Sequence, residues 1–293
     1  MATLRDIKSR IVGVKSTQKI TKAMKMIATA KLRGAQQRIL NARPFAKKIG
    51  EMLSHLATEE TLQTNPFFVS KSNLKTCVVV ITADRGLCGA FNTNIIKESV
   101  SHINVESKNE NNSVTVYTVG KKATEYFRKR DYKIEGKLAG LFSSLEYQAT
   151  LQIYQDLIPK YLSGEIDKIY LVYNEFVSLI QQRITKVQLL PIPLNKSDDE
   201  DKFHQTNYIF EPDQLFIFEQ LIPKHLKAQL WRALLESNAA ELSARMTAMD
   251  NATTNAQELI RSLNLTYNKE RQAAITKEIL EIVSGANALK ASS

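Results

Sequence analysis

The sequence predicts a long antiparallel α-helical coiled coil carrying an α/β domain, with a Rossmann-like, mostly parallel sheet inserted between the N- and C-terminal helices. Three observations predict this fold class. Both ends of the 293-residue chain hold a heptad spacing of apolar residues far longer than a globular helix needs. The middle alternates short apolar runs with helical patterns. The last stretch, from Lys224 to Ser284, runs 61 residues without Gly or Pro.

The first element covers residues 1–57. Positions spaced alternately three and four apart read Leu4, Ile7, Ile11, Val14, Gln18, Thr21, Lys25, Ala28, Leu32, Ala35, Ile39, Ala42, Ala46, Ile49, Leu53 and Leu56. Thirteen of these 16 are apolar. At ~1.5 Å per residue the helix would be a rod of roughly 80 Å. Gly13, Gly34, Pro44 and Gly50 weaken the pattern locally, and the Pro is placed to bend the rod. The seam fails only at Gln18, Thr21 and Lys25, where Ile20, Met24 and Ile27 move to a neighbouring face. Two readings stay open: a change of packing partner along one helix, or a second molecule touching this part.

The middle element, 74–210, changes period. KTCVVVITADRGLCGAFNT holds an apolar run, Cys77–Ile81, then a turn with Gly86 and Gly89, then a helix through Asn94–Val100. A strand at Val114–Val119 followed by Gly120 and a second helix repeats the scheme. A helix over Tyr147–Leu162 leads to a strand in DKIYLVYNEF, and RITKVQLLPI reads as the last strand. Polar segments 107–113 and 195–202 read as surface loops.

The last element, 212–290, is announced by Glu211, Pro212 and Asp213, with Pro223 marking a kink or restart near its first turns. Leu242, Met246, Met249, Thr253, Ala256, Ile260, Leu263 and Tyr267 continue the three–four spacing. Neither rod is stable alone in water. The economical solution pairs them antiparallel within one chain; pairing between chains would also satisfy the seams. The second rod is the longer, so its tip, EIVSGANAL, overshoots. It is apolar and small enough for a tight sleeve.

The charge distribution narrows the function. The whole chain carries +10, and residues 1–57 carry 13 Lys/Arg against 2 acids, a net 13 − 2 = +11. One positive arm on a near-neutral protein seeks an acidic partner. TQKITKAMKMIATAKLR, residues 17–33, concentrates it with Lys19, Lys22, Lys25, Lys31 and Arg33 and no acid. Its charges wrap round the helix, and aromatics that would stack bases are absent from 1–44, which argues against nucleic acid. Its apolar face is committed to a helical seam rather than to a lipid surface. Acidic protein surface is the best partner.

Catalytic patterns are missing. DRGLCGAFN follows a strand and precedes a helix, where phosphates bind, but there is no GxGxxG and no GxxxxGK[ST]. The four histidines are scattered, and Cys77 and Cys88 show no metal-ligand spacing. No nucleophile elbow occurs. No apolar h-region opens the chain and no apolar run spans a membrane. No catalytic residue, metal or cofactor is expected. A scaffold or mechanical part fits best; the alternative is a nucleotide-dependent α/β enzyme with a coiled-coil arm for nucleic acid.

Five segments, in order, carry a resemblance: IKSRIVGVKSTQKITKAMKMIATAKLRGAQ, ITADRGLCGAFNTNI, YIFEPD, ARMTAMDNATTNAQELI and YNKERQAAITKEILEIVSGANAL. Together they resemble the gamma subunits of F-type ATP synthases, of the bacterial type. The resemblance implies a noncatalytic central rotor shaft, coupling ion-driven rotation of a membrane ring to ATP synthesis or hydrolysis. Implied partners are the alpha and beta subunits of a catalytic hexamer, an epsilon subunit and a ring of c subunits. The implied location is peripheral, on the cytoplasmic face of the bacterial plasma membrane, reached only through partners. Lys22, Met24, Lys25, Lys31, Arg33, Arg245, Arg271, Gln272, Thr276 and Glu281 match positions that contact catalytic subunits. Ile282, Val283 and Ala286 match the tip that turns in a sleeve. Tyr208 and Glu211 would face the membrane ring. Within the resemblance the two thiols form no redox switch.

Overall fold

A computed structural model of the protein describes residues 3–69, 75–108, 112–193, 211 and 213–291. The elements are helix α1 (Leu4–Leu56), α2 (Glu59–Thr64), strand β1 (Lys75–Ile81), α3 (Phe91–Glu106), β2 (Ser113–Val119), α4 (Lys121–Arg128), β3 (Ile134–Leu138), α5 (Gln148–Leu162), β4 (Lys168–Phe176), β5 (Gln182–Leu190) and α6 (Gln214–Ala291). The chain divides into two compact units. One holds residues 1–27 and 246–293, the other 28–245. Tyr208, the loop 195–202 and residues 109–111 of the first polar loop lie outside the described residues.

In the larger unit the sheet order is β3-β2-β1-β4-β5. β1 pairs in parallel with β2 and β4, β2 in parallel with β3, and β5 closes the edge antiparallel to β4. β1 is buried from Thr76 to Ile81, as its unbroken apolar run requires of a central parallel strand. Successive side chains alternate faces. Val78, Val80, Val116 and Val172 pack with Phe91 and Ile95 of α3 and Ala123 and Phe127 of α4. Tyr117 points the other way, and its hydroxyl donates to Asp156 of α5 at 2.6 Å. Helices therefore cover both faces.

β3 was not foreseen. IEGKL offers two apolar residues around Gly136, and its burial is mostly partial, so an edge strand leaves little periodic signal. Gly136 is required, because a Cβ there would lie 2.4 Å from the Tyr117 ring. α6 begins at Gln214, and its helix runs through Pro223 rather than restarting there. Proline forfeits one ladder bond. The burial of Phe218, Leu221, Ile222 and Leu226 around it holds the helix.

Within this unit, residues 28–56 of α1 pack on 214–245 of α6. Ala46 and Ile49 meet Ala228, and the Leu56 carbonyl accepts from Gln214 at 3.2 Å, so the helices run antiparallel. α6 is buried at every position from Ala233 to Ser243.

In the smaller unit the early turns of α1 pair antiparallel with α6. Thr21 and Thr253 share a 2.8 Å hydroxyl hydrogen bond, and Lys25 Nζ donates to Asp250 at 2.5 Å. The seam does not fail where the sequence reading expected. Gln18 and Lys25 are half-buried and Thr21 is buried, so the three polar residues stay on the seam, and Thr21 and Lys25 pair across it. A polar layer in an apolar seam fixes register, at a cost in stability. On α6 the stripe of covered positions runs on through Ala274, and from Ile275 to Asn287 every residue is exposed.

Candidate functional site

In the smaller unit, α1 turns Lys19, Ile20, Lys22, Met26 and Ile27 outward. Ile20, Met26 and Ile27 are 57%, 59% and 59% exposed, so three large apolar side chains stand in solvent within eight residues. Met24 is half-buried and Lys25 is taken up by Asp250. So of the basic residues singled out here, Lys22 faces solvent while Lys25 is held by a partner helix. In the larger unit Lys31 and Arg33 are exposed on the next turns. Apolar knobs set among cations suit an acidic surface with an apolar component.

The same unit brings Arg245 to the loop after β1, two segments that sequence reading left apart. Arg245 Nε donates to Glu241 at 2.7 Å, its Nη2 makes a second, closer contact with the same oxygen, and Nη1 donates to the Gly86 carbonyl at 2.7 Å. Glu241 is 5% exposed, and burial pushes its carboxyl up from the usual range, against the pull of Arg245 and Lys31. The next residue of the loop, Leu87, is 67% exposed at φ +64°, a left-handed conformation uncommon for leucine. Burial also pushes the Cys77 thiol up to about 12 and raises Cys88, so both stay as inert thiols.

The edge of the sheet that would receive a phosphate is filled from within. Asp84, just past β1, accepts from Lys121 N at 3.1 Å and Gly140 N at 2.7 Å through Oδ1, and from Phe142 N at 3.2 Å through Oδ2. Those amides follow β2 and β3, where a nucleotide fold presents donors to an anion. Beside them Asn92, in the first turn of α3, accepts from Ala83 N at 2.9 Å. Gly120 makes the close approach possible. It sits at φ +92°, and a Cβ there would lie 2.1 Å from the Thr82 carbonyl oxygen. Among the described residues no group of three or more His, Cys, Asp or Glu is placed to hold a metal ion, and no helix is long and apolar enough to cross a membrane.

Sequence reading missed one ionic cluster. Arg43 of α1 grips Glu236 of α6 with both ends of its guanidinium, Nε to Oε1 at 2.6 Å and Nη2 to Oε2 at 2.9 Å. The available signal was a pair of acids, Glu236 and Glu241, inside ALLESNAAEL, a stretch with no basic residue and six Ala or Leu.

In the smaller unit the C-terminal residues expected to make contacts are all on the surface. Arg271, Gln272, Thr276 and Glu281 are exposed, and Glu281 pairs with Lys277 at 3.6 Å, one turn away. Ile282 is 72% and Val283 49% exposed, and Ala286 is exposed with them. Glu211 is exposed.

A family model described as ATP synthase matches residues 3–289. The ATP synthase gamma chain of Chlorobaculum tepidum is 49% identical over 293 residues, covering 99% of this chain and 100% of that one. That of Chloroherpeton thalassium is 48% identical, covering 100% of both. Among solved structures, a chain of the central stalk and c-ring of the Tetrahymena thermophila mitochondrial ATP synthase is similar at TM-score 0.60 and 26% identity, over 80% of this chain and 99% of that one. A chain of the Euglena gracilis mitochondrial ATP synthase shares the fold at TM-score 0.67 and 22% identity, over 99% of this chain and 95% of that one.

Proposed function

The chain belongs to the ATP synthase gamma-chain family, and we propose that it is the noncatalytic shaft of the central stalk. Identity near one half, held across the full length of the relatives, carries this reading. Its finer parts are our own. The shaft would stand within a hexamer of alpha and beta subunits and connect, beside an epsilon subunit, to a ring of c subunits. The complex would sit on the cytoplasmic face of a bacterial plasma membrane. The chain would make no bond itself, and Asp84 supports that, because it occupies the amides an incoming phosphate would need. That also weighs against the reading as a nucleotide-dependent enzyme.

In this mechanism the geometry of α1 and α6 does the work. Lys22, Lys31 and Arg33, with the apolar Met24, meet an acidic loop of a catalytic subunit through pairs each contributing about 0–1 kcal/mol. Contacts so weak release and re-form as the shaft turns. Arg271 and Gln272 offer a guanidinium fork and an amide to a second loop, with Thr276 and Glu281 beyond them. The exposed apolar tip with Ile282, Val283 and Ala286 has few directional bonds and turns in a sleeve. Tyr208 and Glu211 belong to the contact with the membrane ring.

The test is rotation. A cysteine introduced at exposed Ser101 would carry a bead, since both native thiols are buried. With the full chain assembled into an immobilised hexamer, ATP should drive one-way turning in thirds of a revolution. ATP hydrolysis by the isolated chain, or a stationary bead on a hydrolysing hexamer, would refute the reading.

A further inference from the structure

A shaft must take up rotation from its sheet-bearing part and pass it to its helices, so something must fix the angle between them. Apolar packing is non-directional and does this poorly. In the larger unit one polar cluster does it by geometry. Glu236 of α6 is fully buried, and its carboxylate accepts from Arg43 of α1 at 2.6 and 2.9 Å and from the backbone N–H of Phe176 at 3.1 Å. Arg43 Nη2 also donates to the Phe176 carbonyl at 2.7 Å. Phe176 is the last residue of β4. Three bodies, α1, α6 and the sheet, thus close a ring of charge-assisted hydrogen bonds around the backbone of one residue, Phe176. Next to it, Glu175 takes Arg183 of β5 at 2.5 Å and Arg232 of α6 at 3.4 Å, extending the tie by one strand.

We propose that Arg43 and Glu236 are positioning residues for rotation, an angular anchor that locks the helix pair to the end of β4. The inference rests on the reading of the chain as a rotating shaft. Glu236 is buried while the Arg43 side chain is 38% exposed, and an ion pair with a buried member is a poor device for stability alone, because apolar residues of similar volume often replace one without loss. It is a good device for register, since its bonds hold at one orientation only. A second, smaller tie lies one loop further on, where Ser243 of α6 donates to the Leu179 carbonyl at 2.5 Å and accepts from Gln182 at 3.3 Å. The two ties act as parallel springs between α6 and the β4–β5 edge.

The test uses the assembled complex in vesicles, with the Ser101→Cys bead parent. The variant Arg43→Met with Glu236→Leu removes the directional bonds while filling the space. Hydrolysis and assembly should match the parent, and the melting temperature should fall only modestly, because the N–H and carbonyl of Phe176 lose their side-chain partners. Weakening the larger of the two springs should raise the angular variance of the bead by roughly a factor of two, and ions pumped per ATP against a gradient should fall. Glu236→Gln, nearly isosteric, is the second variant. It keeps the Arg43 hydrogen bond without its charge and should move both readouts the same way by less, whether or not the double variant folds. Unchanged variance and pumping in a folded variant would overturn the anchor. A parent bead that does not turn would overturn the shaft reading instead, so the two failures are distinguishable.

Discussion

Arg245→Ala should destabilise this chain before any partner is considered, and the loss should depend on pH. The side chain satisfies Glu241 twice and ties down the Gly86 carbonyl. Removing it leaves a carboxylate that is 5% exposed with Lys31 and Asp84 as its remaining charged neighbours, one attractive and one repulsive. Breaking a buried pair from one side costs about 3–5 kcal/mol if the orphan stays ionised. It need not stay ionised. Burial already raises the Glu241 carboxyl above its ordinary value, and deleting Arg245 raises it further. Each further unit adds about 1.4 kcal/mol of preference for the neutral acid. For an acid whose folded value is raised, the unfolded chain releases its proton first, so stability falls as pH climbs from the unfolded value to the folded one.

The deficit of Arg245→Ala relative to the parent should therefore be small near pH 5 and grow toward pH 8. Adding Glu241→Gln should remove most of it, because the amide brings no charge to bury. Urea denaturation of the full chain at the two pH values measures all four members of the cycle. If the deficit were flat with pH, or if Glu241→Gln failed to rescue it, the pair would not be the constraint described. The result bears on function. A weakened motor carrying Arg245→Ala would otherwise be read as a lost contact with a catalytic subunit, whereas rescue by Glu241→Gln would place the defect inside the shaft.

Two further outcomes follow from single sites. Burial pushes His225 down to about 4, so the folded chain keeps it neutral while the unfolded chain protonates below about 6.5. Stability should drop by on the order of 3 kcal/mol as pH falls through that window, and His225→Leu should flatten the slope in pH-dependent denaturation. Gly120→Ala places a methyl 2.1 Å from the Thr82 oxygen at φ +92°. Strain of about 1–3 kcal/mol plus the clash should shift the urea midpoint strongly, and a shift equal to that of an ordinary surface Gly→Ala would show that the turn yields.

Much of this was legible in the sequence because it is periodic. All 16 seam positions from Leu4 to Leu56 are buried or half-buried, including the three polar ones that looked like a gap. The error there was chemical rather than geometric. A Thr–Thr pair and a Lys–Asp pair can each occupy a seam layer, and only the second helix, 232 and 225 residues away, reveals the partners. The same limit hid Arg43–Glu236 and Arg245–Gly86. Each joins residues more than a hundred positions apart, and the local signal, an acid in a largely apolar stretch, does not name the partner. β3 escaped for the opposite reason, since a half-exposed edge strand has no strong pattern to read.

One helix, α6, meets three environments in turn, and the residue types change with them. Across Ala233–Ser243 it is buried on every side, and there it spends small side chains and polar groups, Glu236, Asn238, Glu241 and Ser243, of which Glu236, Glu241 and Ser243 bond to named partners. From Met246 to Ala274 only a narrow stripe is covered, and the pattern thins to a seam with one Thr–Thr layer and one ion pair. From Ile275 to Asn287 nothing is covered, yet Ile275, Ile279, Leu280, Ile282 and Val283 are all large and apolar. A solvated helix end has no use for five such side chains, so their presence calls for a surrounding surface. Among the described residues, directional side-chain bonds thus concentrate where the helix is fixed to the sheet and thin, past Ile275, to the exposed Lys277–Glu281 pair within the helix itself. That gradient, in a single uninterrupted helix, is what the proposed shaft requires, a grip on its sheet and a tip with little to hold it against turning.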